Sequence, residues 1–219
     1  MATFTATAGS SSTIGYAQYG STSWSTGTTN GACQGAYQGT TASKSRVGVM
    51  VFSGAGAALQ GKVIQSISLT ITCSGAGSSG SSKVLSFRKA LYQSLKTGIT
   101  GSAQVGDALG TLTGKFYSNT VTHTLSASSN ASFFANLASY LTAGNSVLVI
   151  YNGETSSSSG YSSNYARVTT VVMTVTYIDA TVWYCNAGTW QQCTVWYCNA
   201  GTWVQCVPYY NSGGSWIRV

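Results

Sequence analysis

The chain has 219 residues and a formal net charge of +7, yet only 6% of its residues are charged, against about a quarter in an average globular protein. Hydrophobic residues make up 43%, with 14 Tyr, 6 Trp and a single proline, which excludes a disordered chain. The ten basic residues are scattered and only Arg88-Lys89 are adjacent, so no nucleic-acid-binding stripe is present, and no segment reaches the ~18 apolar residues that a membrane span needs.

The first ten residues, Met1 to Ser10, lack both a basic start and an apolar stretch, so they do not read as a secretory leader. Next come the aromatic residues Tyr16, Tyr19, Trp24 and Tyr37, separated by Gly, Ser and Thr in a pattern typical of loops. Val47–Phe52 is the first strong apolar strand. In Lys62–Cys73, Ile67, Leu69, Ile71 and Cys73 alternate with Ser68, Thr70 and Thr72, the period-2 signature of a half-buried strand. Val84–Phe87 and Asn119–Leu125 follow, and Ser146–Tyr151 is a continuous apolar run suited to a central strand. Phe133, Phe134, Leu137, Tyr140 and Leu141 recur at helical spacing, which predicts one short helix over Ala131–Leu141 that stops before Gly144. After a Ser/Gly-rich loop carrying Tyr161 and Tyr165, Thr169–Tyr177 closes the series. The pattern predicts an all-β fold over residues 1–178: an antiparallel β-sandwich, jelly-roll-like, with one short helix.

Residues 179–219 form a second unit, a tail of one 13-residue phrase written three times, at 181–193, 194–206 and 207–219. Each copy reads as a β-hairpin: an aromatic, β-branched run such as Val182-Trp183-Tyr184-Cys185, a turn at Asn186-Ala187-Gly188, then Thr189-Trp190. A three-residue loop with Gly188, Gly201 or Gly214 in the left-handed region would set Tyr184 opposite Trp190, Tyr197 opposite Trp203 and Tyr210 opposite Trp216. Short tandem units cannot bury their own apolar faces, so Trp183, Tyr184, Trp190, Trp196, Tyr197, Trp203, Tyr209, Tyr210 and Trp216 are expected to form a self-association surface. A homo-oligomer follows, with a trimer the first choice by analogy with fibres.

The three carboxylates, Asp107, Glu154 and Asp179, and the sole histidine, His123, leave little material for catalysis. A glycosidase needs two carboxyl groups about one bond, and a serine triad would have to recruit His123, which alternates with Val121 and Leu125 and so should point inward. No catalytic residues, metal or cofactor are therefore expected. Cys33, Cys73, Cys185, Cys193, Cys198 and Cys206 allow 15 disulfide pairings. In the hairpin register above, Cys185 and Cys193 share a face but stand about 13 Å apart, too far for a bridge within one copy. Any tail disulfide would link copies or subunits, unless the register differs. Buried reduced thiols are the other reading, and the intervals lack the tight pairs of a zinc site. Tyr16, Tyr19, Trp24, Tyr37, Tyr161 and Tyr165 are the candidate glycan-stacking residues.

The order Arg46-Val-Gly-Val-Met-Val-Phe52, Lys62–Thr72, the helix Phe133–Leu141 leading into Gly144-Asn-Ser-Val-Leu-Val-Ile150, and Arg167–Tyr177 resembles the DNRLRE-type family of β-sandwich modules over roughly residues 14 to 178. These are relatives of carbohydrate-binding modules found in bacterial surface proteins and phage structural proteins. The Trp-Tyr-Cys/Gly-Thr-Trp tail resembles hairpin repeats that end some phage and cell-wall-associated proteins. The resemblances imply a non-enzymatic virion protein, a fibre, tail-tip or capsid-decoration component, that attaches to a host cell-surface glycan or to other virion proteins. The alternative is a secreted bacterial glycan-binding or adhesin module, located outside the cell or on its surface, whose leader is not part of this sequence.

Overall fold

The structure is a computed structural model that describes residues 1–75 and 81–179 in full; in the tail it describes Gly201 and the backbone of six strands between Val182 and Arg218. One sheet has the order β1 (Ala2–Ala8), β11 (Ala166–Ile178), β6 (Val63–Cys73), β9 (Thr120–Ser126), with β4 (Ala32–Gln34) also paired to β11. The other runs β3 (Trp24–Thr26), β2 (Ile14–Gln18), β5 (Arg46–Val51), β10 (Val147–Ile150), β7 (Lys83–Ala90), β8 (Val105–Gly114). With β2, β3 and β4 set aside, the chain visits the two sheets in the sequence that gives β1-β11-β6-β9 facing β5-β10-β7-β8. That order, antiparallel throughout, is a jelly roll of two Greek keys. The sandwich expected from the sequence is present.

The core lies between the sheets, where Ile67, Leu69 and Ile71 of β6 and Val171, Met173 and Val175 of β11 meet Met50, Leu85, Phe87, Leu148 and Ile150 of the other sheet. Burying each such side chain contributes roughly 1.5–3 kcal/mol. A second apolar layer covers the outside of β5 and β10: Val47, Val49, Val147 and Val149 lie under Tyr19, Trp24, Leu95, Val105 and Tyr151. Strands buried on both faces read as unbroken apolar runs, which is why Val47–Phe52 and Ser146–Tyr151 stand out in the sequence.

The expected helix is α2 (Ala131–Thr142), and Gly144 follows it at φ +92° with its N–H on Leu141 O. A second helix, α1 (Ala55–Leu59), was not expected. It spans only five residues and buries Ala55, Gly56 and Leu59, too short a stretch to show a helical period.

In the tail, β12 (Val182–Asn186) pairs with β13 (Thr189–Cys193), β14 (Trp196–Asn199) with β15 (Thr202–Gln205), and β16 (Tyr209–Ser212) with β17 (Ser215–Arg218). The hairpins expected at each copy are there, but their register differs. Asn186 opposes Thr189, so the loop has two residues rather than three, and Trp190 opposes Cys185 while Tyr184 opposes Gln191. The equivalents are Trp203 with Cys198 and Trp216 with Asn211. Two-residue loops match the right-handed twist of the strands when a residue takes positive φ, and Gly201 has φ +83°. Cys193 now opposes Val182, three positions from Cys185. That odd spacing puts the two cysteine positions on opposite faces of the ribbon, not on one as expected. Gly188, Gly214, Cys206 and the tail's aromatic side chains lie outside the described residues.

Candidate binding site

Two segments distant in sequence, 30–46 and 151–167, meet at one corner of the sandwich and knit together through the backbone. Ser162 N donates to Ala36 O (2.9 Å) and Ala36 N to Ser162 Oγ (2.9 Å), while Gln38 N donates to Gly160 O (3.0 Å) and Ser156 N to Gly39 O (2.6 Å). Gly35 makes this closeness possible: it has φ +75°, and a Cβ there would lie 2.3 Å from Ser162 Oγ.

The clasp sets Tyr37 across from Tyr161, and their rings stack with centroids 4.3 Å apart at 28°. Both stay exposed, at 38% and 44%. Behind them Tyr165, 2% exposed, tilts against Tyr161 with centroids 4.6 Å apart. The Arg46 guanidinium lies over the rings of Tyr16 (4.7 Å) and Tyr165 (5.2 Å) and donates from Nη1 to the Tyr165 hydroxyl. Contacts between a cation and a ring face strengthen when water is excluded, so the arginine fixes both rings from within. The Tyr165 hydroxyl donates to Cys33 Sγ (3.7 Å), which donates to Asn30 O (3.5 Å). Burial pushes both the Tyr165 hydroxyl and the Cys33 thiol above their ordinary pKa values, so both stay protonated.

Beneath the aromatic layer runs a polar network. Gln34, fully buried, donates from Nε2 to Val84 O (2.6 Å) and Asn164 O (2.9 Å) and accepts from Ser86 N (2.9 Å). Asn164 Oδ1 accepts from Val84 N (2.7 Å), while Asn164 N and Nδ2 donate to the two oxygens of Glu154 (2.8 and 2.5 Å). Lys83, also fully buried, donates to Ser163 O (3.4 Å).

Of the six aromatic residues singled out in the sequence, four therefore converge here: Tyr16, Tyr37, Tyr161 and Tyr165. Only Tyr37 and Tyr161 are open to solvent; Tyr165 is core, and Tyr16, half-buried, sits within β2 rather than in a loop. Tyr19 and Trp24 belong elsewhere, over the outer layer, where Tyr19 stacks on Tyr151 (4.8 Å) and Trp24 Nε1 donates to Ile99 O (2.8 Å). Arg46 escaped notice as a site residue. Its alternation with Gly48 and Met50 was the available signal, since that phase directs it inward.

The carboxylates are each engaged apart from His123. Asp107 pairs with Lys89 (3.1 Å), Asp179 with Lys62 (2.5 Å), and Glu154 with Asn164. His123 lies beside Phe116, ring centroids 5.7 Å apart, and its buried Nε2 has no hydrogen-bond partner among the described residues. Burial holds its pKa below the ordinary histidine value. Cys33 and Cys73 are free thiols on opposite sides of β11, facing Arg167 and Val168 respectively, so the possible disulfide between them is not formed. Among the described residues no three metal-binding side chains cluster. A groove of about 440 Å³ between β8 and α2, lined by Leu109, Phe133 and Asn136, holds no titratable side chain. No family model matches this chain, and no curated protein is significantly similar to it.

Proposed function

We propose that this chain is a non-enzymatic structural protein of a phage virion, a fibre, tail-tip or capsid-decoration component, that attaches to a host-surface glycan or to another virion protein. The observation that carries the reading is the exposed, stacked Tyr37–Tyr161 pair, immobilised from behind by Tyr165 and Arg46. The rings cover each other's inner faces, so the solvent-facing side of the pair is what accepts the apolar face of a pyranose, and hydroxyls of the adjoining Ser156–Ser159 run suit the sugar's polar rim. Such preorganisation lowers the ordering cost of binding. The tail supports assembly. Among the described residues each hairpin is a two-stranded sheet of its own, and isolated two-stranded sheets are marginal in water unless packed against something. The partner we propose for these ribbons is another copy of the chain, in a trimer by analogy with fibres.

A glycan array with the whole protein tests the attachment. Tyr37→Ala/Tyr161→Ala should lower binding by more than about tenfold, since exposed aromatic anchors dominate such contacts, with the thermal midpoint little changed. Equal binding by the variant would refute the site, and no binding by the natural chain would leave only the virion-protein partner. Sedimentation equilibrium tests assembly, and a monomer would refute it.

A further inference from the structure

Lys83 opens β7 on the same face as Leu85 and Phe87 and is fully buried. A buried ammonium group ordinarily sits against a carboxylate. Neither of the ion pairs among the described residues includes Lys83, and its hydrogen bond there is a long one, 3.4 Å, to the carbonyl of Ser163. The next residue is Asn164, whose carboxamide is gripped at both ends. Its Oδ1 takes the N–H of Val84, the neighbour of Lys83, at 2.7 Å, and its Nδ2 lies 2.5 Å from Glu154 Oε1. A fully buried primary amine, a fixed carboxamide and a carboxylate, the last two half-buried, thus lie at one corner of the sandwich.

We propose that Lys83 and Asn164 become joined by an intramolecular amide bond, with Glu154 moving the proton. The Lys83 Nζ lone pair attacks Asn164 Cγ, forming the new C–N bond and placing negative charge on Oδ1. Val84 N–H already points at that oxygen and stabilises the charge as an oxyanion donor does. Glu154 takes a proton from Nζ and delivers it to Nδ2, the Cγ–Nδ2 bond breaks, and ammonia leaves. One amide replaces another, so no oxidant or cofactor is consumed. Burial lowers the pKa of Lys83, which favours the uncharged, nucleophilic amine; the nearby Glu154 charge opposes this and burial prevails. Holding amine and carboxamide on adjacent fixed backbones supplies the proximity that makes amide exchange feasible without an external catalyst.

The bond would tie β7 of one sheet to the segment entering β11 of the other, in a sandwich whose two cysteines are free thiols. It holds whatever the chain binds. The test is the mass of the full-length protein, purified under reducing conditions, with peptide mapping. The expected result is a chain one ammonia lighter than its sequence, with a branched peptide joining Lys83 to Asn164. Lys83→Met and Glu154→Gln should both return the sequence mass while retaining the near-ultraviolet circular dichroism of the folded sandwich. A natural chain at its sequence mass, with Lys83 and Asn164 in separate peptides, overturns the proposal. So does an ammonia loss that maps to a succinimide at Asn152-Gly153.

Discussion

Replacing Gln34 with leucine tests whether one side chain completes the second sheet. β10 ends at Ile150 opposite Phe87, and Tyr151 N makes the last bond from that direction, to Ser86 O at 3.0 Å. Beyond this point Gln34 stands in for the absent strand, bonding Val84 O, Ser86 N and Asn164 O from a fully buried position. Leucine has a similar volume but leaves three buried backbone groups without partners, each costing about 1–3 kcal/mol. The added apolar burial returns roughly 1–2 kcal/mol. With mid-range values of these terms the net loss should be about 3–5 kcal/mol, within outer limits of about 1–8 kcal/mol, a large part of the ~5–15 kcal/mol that holds a typical domain folded. In urea, followed by tryptophan fluorescence, the midpoint should fall by about 1.5–2.5 M at an unchanged slope of about 2 kcal/mol/M. Hydrogen exchange at the Ser86 amide should accelerate in step. A loss below about 1 kcal/mol, or a Ser86 amide as protected as before, would refute the reasoning.

His123 should give the fold an acid-sensitive limb. Its folded pKa lies below the unfolded value of 6.5, so the unfolded chain binds the proton first and stability falls as pH drops through that value. With only three carboxylates in the chain, few other groups contribute near this pH. The melting temperature should fall more between about pH 7.5 and about pH 5 in the natural chain than in His123→Leu, and parallel profiles would exclude the effect. The two sandwich cysteines should resist alkylation: burial pushes the Cys73 thiol up to about 12 and raises that of Cys33. Peptide-resolved iodoacetamide labelling should find both modified only after denaturation; labelling of Cys73 in the native protein at the rate of an exposed thiol would contradict its burial.

What could be read from the sequence depended on whether the signal was local. β6 alternates from Ile67 to Cys73 and β11 from Val171 to Val175, and β5 and β10 are apolar on both faces, so each declares itself within a few residues. β8 does not. Leu109 and Leu112 are both buried though three apart, because the ladder with β7 slips between Phe87–Gly110 and Arg88–Ala108 and breaks the period of two. Gly110 in the same strand looks like a strand breaker, yet Phe133 of α2 occupies the space where its Cβ would stand, 2.4 Å from Cγ. β1 hides because alanine and threonine carry its alternation weakly, and in the tail the turn residues were recognised while a one-residue difference in loop length changed every cross-strand partner.

The site shows the same division more sharply. The sequence marked Tyr37, Tyr161 and Tyr165 by type alone, but their grouping depends on a clasp between segments more than a hundred residues apart, such as the 126 positions between Ala36 and Ser162. The polar layer is equally non-local, since Gln34 and Val84 are 50 residues apart and Lys83 and Ser163 are 80 apart. None of Gln34, Lys83 or Asn164 belongs to a recognisable motif. A chain with three carboxylates nevertheless places one of them, Glu154, in this layer, where both its oxygens bond Asn164 and its charge lies near the buried amine. The other two sit in exposed pairs with Lys89 and Lys62, which contribute little to stability. The most informative acid in the chain is therefore the one whose partners are all distant in sequence or polar and uncharged. Its importance follows from three-dimensional placement, and so does the case for chemistry at that corner.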